Sequence, residues 1–152
     1  MDVRPLFSRW QVPGYDSLCF ACNQDMVQML QTAAQSCTAV AATWQEPLLQ
    51  GRQPRVHTGL IVSGDQFIVS AETSRAIHGD LMAVGLQPLA VEMEGAAIAQ
   101  VCADYQVPFA AVRTVSDRAD DDAHTDFPAF VQQVASRYAQ HIIRETVAIS
   151  RI

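Results

Sequence analysis

The chain contains no lysine: all ten basic residues are arginine. Schiff-base chemistry on a lysine and a phosphate-binding P-loop lysine are therefore excluded. Charged residues of either sign make up only 17% of the 152 residues, and the net charge is −6. That balance is poorly suited to neutralising phosphates, so neither nucleic acid nor an anionic membrane surface is an expected partner. No apolar run reaches the ~18 residues of a membrane span. The opening residues Met1 to Pro5 lack the basic-then-apolar order of a secretory leader. Cysteines number four, Cys19, Cys22, Cys37 and Cys102, and without a sign of an oxidising compartment they are expected as reduced thiols in the cytoplasm.

What remains is an apolar chain, 49% hydrophobic, of a length expected to form one domain, 1–152, with a real core. Pattern predicts a strand over 17–22, then a helix after the capping run Asn23-Gln24-Asp25 through Met26, Leu30 and Ala33 or Ala34. A buried strand over 38–42 and a surface loop over 45–54 follow. Further strands are expected over 56–62, 89–93 and 108–115, with helices over 71–77 and 94–105 and an acidic loop over 117–126. The last helix, 127–149, carries an apolar stripe of Phe127, Phe130, Val131, Val134, Tyr138, Ile142 and Ile149. Strands alternating with helices indicate an α/β sheet covered by helices, and in such sheets ligands sit beyond the carboxyl ends of strands. Those ends are Ser63-Gly64-Asp65, Glu92-Met93-Glu94 and Ser116-Asp117, each polar after an apolar run.

Asp117 at a strand end has the chemistry of a general acid, and Arg113 four residues upstream is a candidate partner; Ser116 and Asp117 equally fit a turn cap. Glu92 and Glu94 alternate onto one side if the strand persists, where two carboxylates raise each other's pKa and can grip vicinal hydroxyls. Glu94 also fits the first turn of the next helix, where the macrodipole favours it. Other constellations fail. The Cys19-to-Cys22 spacing has no second cysteine pair, Asp120 to Asp122 lacks the glycine and glutamate of a calcium loop, and His141 with Glu145 is not a two-histidine zinc helix. Ser63-Gly64 is no nucleophile elbow, since Ile61 stands where that motif needs glycine. There is no glycine-rich dinucleotide fingerprint, and neither a metal nor an organic cofactor is expected.

Taken in order, Gly59 to Ile68, Val91 to Ala99 and Val112 to Asp120 resemble the nucleoside phosphorylase/nucleosidase superfamily, and most closely the 5′-methylthioadenosine/S-adenosylhomocysteine nucleosidases. The resemblance implies a three-layer α/β sandwich with a central mixed sheet. It implies an enzyme that hydrolyses the bond between adenine and a 5′-thio-substituted ribose, without a cofactor and commonly as a homodimer. By motif, Asp117 is the acid that protonates departing adenine at N7, with Ser116 beside it and Arg113 orienting it. Phe67 stacks on the base and Ile68 offers it backbone hydrogen bonds. Glu94 holds the ribose hydroxyls, Glu92 and Met93 line the sugar, and Phe127 closes over the purine. Val3 and Pro13 lie near the 5′-substituent, Pro13 reaching a partner subunit's site.

The resemblance also implies that the chain corresponds to the C-terminal part of the family domain. The family's water-activating glutamate and glycine-rich segment would then fall before Met1, and a sheet edge and apolar face would be left uncovered. Residues 43–55 read as an insertion. A phosphorolytic relative and a catalytically inactive chain are the alternative readings.

Overall fold

The computed structural model describes residues 10–12, 14–44, 53–116 and 130–150. Val3, Pro13, Asp117, Phe127, the acidic loop and most of the 43–55 stretch lie outside the described residues.

The first element, α1, spans Gln24–Ala41. Asn23 starts it: its side chain accepts the Met26 N–H at 3.0 Å, which satisfies one of the amides a helix start leaves unpaired. The strand expected over 38–42 is instead the last turn of this helix. Ala33, Ala34, Cys37 and Ala41 form one buried stripe at helical spacing, and that stripe outweighs the local β-propensity of Thr38 and Val40. Residues 17–22 are likewise not a strand but an irregular approach to α1.

Strand β1, Leu60–Ser63, and strand β2, Pro88–Glu92, pair in parallel. Between them α2 covers Ala71–Ala83, longer than the 71–77 expected. It ends where Gly85 takes φ +80°. There the Gly85 N–H reaches Met82 O and the Leu86 N–H reaches Leu81 O, both at 3.0 Å, the bonding of a Schellman stop. Helix α3, Gly95–Asp104, follows β2 directly and packs against β1, while α2 packs against β2. Its own stop has the same bonding, but Gln106 occupies the left-handed position at φ 56°. The 108–115 segment joins no strand ladder; its Phe109 carbonyl accepts the Asn23 N–H at 2.7 Å and so ties it to the start of α1.

The last helix begins as a π-turn, Val131–Ala135, and continues as α4, Ser136–Ile149. One residue per turn is added in a π-turn, and here Val131 is rotated outward while Val134, Tyr138 and Ile142 are buried. These three meet the small-residue stripe of α1, with Leu30, Trp44, Val56, Phe130 and Ile149 around them. Trp44 stacks on Tyr138 at a centroid distance of 5.3 Å, and the Arg137 guanidinium lies 3.8 Å above Trp44. His141 sits 3.3 Å from the Ser36 hydroxyl on α1. The α/β class expected from pattern holds, with two parallel strands in the described sheet. No helix among the described residues is long and apolar enough to cross a membrane. All four cysteines are free, and burial pushes the Cys37 thiol up from its ordinary pKa.

Candidate functional site

Parallel pairing brings the carboxyl ends of β1 and β2 to the same edge, and the register places Ser63 directly opposite Glu92. Past Ser63 the ladder continues for one bond, from the Gly64 N–H to the Glu92 carbonyl at 3.0 Å. The chain then turns into α3, whose N-cap is Glu94. A helix start leaves its first amides without partners and carries a partial positive charge. Glu94 does not satisfy them, for its side chain makes no capping bond. Glu92 does so instead. Its carboxylate accepts the Glu94 N–H at 3.1 Å and the Gly95 N–H at 2.9 and 2.8 Å. The next amide, Ala96 N–H, donates to the Ser63 hydroxyl oxygen at 2.7 Å, and the Ser63 hydroxyl donates to the Glu92 carboxylate.

Gly95 leaves room for this close approach, and any Cβ would make the Glu92 carboxylate shift. A Cβ there would stand 2.8 Å from Glu92 Oε1 and 3.1 Å from its Cδ.

The fourth member is Arg113, which arrives from the extended segment after α3. Its guanidinium pairs with Glu92 and lies 3.5 Å from the Glu94 carboxylate. The Glu92 side chain is 10% exposed, whereas that of Glu94 is 66% exposed. The strand does not persist to Glu94, which starts α3 as the helix reading expected; the two glutamates meet at Arg113 rather than by alternation, and they differ in role. Glu92 is turned inward with its oxygens occupied by protein donors. Glu94 presents an open carboxylate to solvent with a cation at its flank.

The electrostatics correct one expectation. Burial raises the Glu92 carboxyl, but the Ser63 hydroxyl, the Glu94 and Gly95 amides and Arg113 outweigh that, and the net shift is downward. The direction for Glu92 is thus opposite to the rise that repulsion by a neighbouring carboxylate would cause.

The other predicted site residues that are described follow these elements along the chain. Phe67, half-exposed, and Ile68, buried, lie on the segment that leaves β1. Met93, also half-exposed, sits between the two glutamates. Ser116 ends the described part of the segment carrying Arg113. The expected pairing of Arg113 with Asp117, and the positions of Val3, Pro13 and Phe127, fall outside the described residues. Ser63 was noted as a strand end and rejected as a nucleophile, and neither it nor Gly95 was given a site role from sequence. Their signal was present as a polar strand end and a glycine beside a glutamate, but it acquires meaning only when the two strand ends are side by side.

A cavity of about 240 Å³ lies elsewhere, lined by Phe20, Cys22, Asn23, Ala99, Val107 and Phe109 among others. It holds none of the predicted site residues, and no carboxylate or histidine lines it. No group of three or more His, Cys, Asp or Glu side chains among the described residues is arranged to hold a metal ion.

A family model described as Phosphorylase superfamily matches residues 7–148. The chain is 40% identical over 94 residues to a 5′-methylthioadenosine/S-adenosylhomocysteine nucleosidase of Mycobacterium bovis, a match covering 62% of this chain and 35% of that protein. It is 35% identical over 127 residues to the nucleosidase of the same name from Staphylococcus aureus, covering 84% of this chain and 54% of that protein. Among solved structures, the 5′-methylthioadenosine/S-adenosylhomocysteine nucleosidase of Neisseria meningitidis, in complex with methylthio-immucillin-A, superposes with a TM-score of 0.70 at 33% identity. That match covers 90% of this chain and 51% of the solved one. Futalosine hydrolase of Helicobacter pylori superposes with a TM-score of 0.66 at 25% identity, covering 91% of this chain and 50% of the solved one. The chain therefore spans about half the length of the solved relatives it matches.

Proposed function

The chain belongs to the phosphorylase superfamily, and from that membership we propose that it takes part in hydrolysing the N-glycosidic bond of 5′-methylthioadenosine or S-adenosylhomocysteine. The observation that carries this reading is the unequal pair of glutamates at the carboxyl edge of the parallel strands. Glu94 keeps an open carboxylate while Glu92 and Arg113 hold its surroundings. The nucleosidases of the same name at 35–40% identity support the choice of substrate class.

The chemistry follows from the charge that develops. As the C1′–N9 bond lengthens, the ribose gains cationic character and the purine gains negative charge. A carboxylate that accepts from the 2′- and 3′-hydroxyls holds the sugar and stabilises its positive charge; this is the role assigned to Glu94. Arg113 lies at the flank of Glu94, 3.5 Å from its carboxylate. Asp117 protonates N7 as the C1′–N9 electron pair stays with adenine, which leaves neutral; the oxygen of water bonds to C1′, and the proton it loses passes to solvent, from which Asp117 is reprotonated. Phe67, Ile68 and Phe127 hold the base, Met93 and Ser116 border the sugar and acid, and Val3 and Pro13 meet the 5′-substituent. The reaction calls for no metal or organic cofactor. A small nucleoside suits the net charge of −6 better than a polyanion does. We place the protein in the cytoplasm as a homodimer, a location in keeping with its four free thiols.

The test is adenine release from methylthioadenosine with and without phosphate. Release independent of phosphate and abolished by Asp117→Asn is the expected result. Release that requires phosphate assigns a phosphorolytic reaction instead, and a folded protein that releases no adenine under either condition rejects the proposal.

A further inference from the structure

We propose that Ser63 is a positioning residue of this site: its hydroxyl fixes the Glu92 carboxylate against Arg113 and so leaves Glu94 free to face a ribose. The proposal rests on the reading of Glu94 given above. Ser63 is not a nucleophile here, because both of its hydrogen-bonding functions are in use. Its proton goes to Glu92 Oε1, and its oxygen accepts the Ala96 N–H at 2.7 Å.

The consequence lies in how Arg113 is shared. Glu92 Oε2 receives the Glu94 N–H, the Gly95 N–H and Arg113, while Oε1 receives the Gly95 N–H and Ser63. Ser63 is therefore the side-chain donor that anchors the Oε1 half of the group. Without it Oε1 keeps only its share of the Gly95 N–H, and the carboxylate turns about its Cγ–Cδ bond away from its alignment with the guanidinium. Arg113, already 3.5 Å from Glu94, then moves onto Glu94 and competes with the ribose hydroxyls for the same oxygens. One hydroxyl thus links three parts of the chain, the ends of β1 and β2 and the start of α3, without touching the substrate.

Two readouts on Ser63→Ala and Ser63→Thr test this. The first is the carboxyl ¹³C titration of Glu92, identified by its loss in Glu92→Gln. The midpoint is expected to move up in Ser63→Ala and to return in Ser63→Thr, which keeps the hydroxyl; an unmoved midpoint overturns the proposal. The second is the affinity for methylthioadenosine relative to its 2′,3′-dideoxy counterpart. Loss of one charge-assisted hydrogen bond predicts a roughly tenfold fall in this ratio for Ser63→Ala, with affinity for free adenine unchanged. A ratio that stays at the wild-type value also overturns the proposal. A wild-type protein that shows no preference for the ribosyl compound rejects the reading of Glu94 instead, and the Glu92 titration then decides the role of Ser63 by itself. Should Ser63→Ala fail to fold, Ser63→Cys, whose thiol is a weak donor, is expected to shift both readouts in the same direction.

Discussion

Seven buried side chains join α1 to the last helix: Ala33, Ala34, Cys37, Ala41, Val134, Tyr138 and Ile142. On the strand side, the buried apolar residues among those described are only Ile68, Leu81 and Ala99. There Leu89 and Val91 of β2 and Ile98 and Val101 of α3 stand 39–57% exposed. The helix pair is held by apolar contact at close range, which small residues on α1 make possible. The strand ends are held by a polar network of one hydroxyl, two carboxylates, one guanidinium and three backbone amides. A packed interface tolerates small shifts in direction, whereas a charged network does not. The comparison explains why the candidate chemistry lies at the less buried side: that is where the directional bonds are.

Breaking the helix pair should have the largest effect. Ile142→Ala removes a buried side chain from the contact with α1 and is expected to cost about 2–4 kcal/mol in denaturant unfolding. Ile98→Ala, on the exposed face of α3, should change stability by no more than about 0.5 kcal/mol. Equal losses at the two positions would erase the distinction between the two sides.

Gly95→Ala should act in the opposite manner. Alanine favours a helix by about 1 kcal/mol over glycine, which offsets the Glu92 contacts it displaces, so the unfolding midpoint should hardly move. Its Cβ nevertheless meets the Glu92 carboxylate at 2.8 Å, and the displaced network should lower adenine release by roughly 10- to 100-fold. Steady-state release beside an unfolding curve separates the two effects.

The acid limb of stability sharpens the contrast further. Glu92 titrates below its unfolded value of 4.5. Its contribution is therefore full above that value and is lost as pH falls through the lower folded value. Wild-type protein should lose stability on acidification below about 4.5, and Glu92→Gln should flatten that part of the curve. Thermal melts between pH 3 and 6 provide the check.

The smallest effect is expected at Gln106. A non-glycine residue at φ 56° carries strain that glycine relieves, offset in part by the entropy glycine adds to the unfolded chain. Gln106→Gly should stabilise by at most about 1 kcal/mol, measured by the same melts, without altering adenine release.

Much of this architecture was legible in the residues. Asn23 announced the start of α1, the stripe ending at Ile149 announced the last helix, and the apolar runs before Ser63 and before Glu92 announced the two strands. The misreadings share a cause. Thr38 and Val40 have β-branched side chains, and without the partner helix nothing shows that Cys37 and Ala41 prolong a buried stripe. Residues 108–115 have the composition of a strand, yet their neighbour is the start of α1.

At the site, sequence alone determined which residue types stand at the ends of the apolar runs, and the order of those motifs identified the family. Local order also offered Glu94 a place at the start of the next helix, which is where it stands. Only the tertiary structure decided that Glu92 turns inward to cap α3, that Glu94 stays open, and that Ser63 and Arg113 join them. The reason is distance along the chain. Ser63 is 29 residues from Glu92 and Arg113 is 21 residues beyond it. Neither pairing has a local signature, and the parallel register of β1 and β2 sets Ser63 beside Glu92.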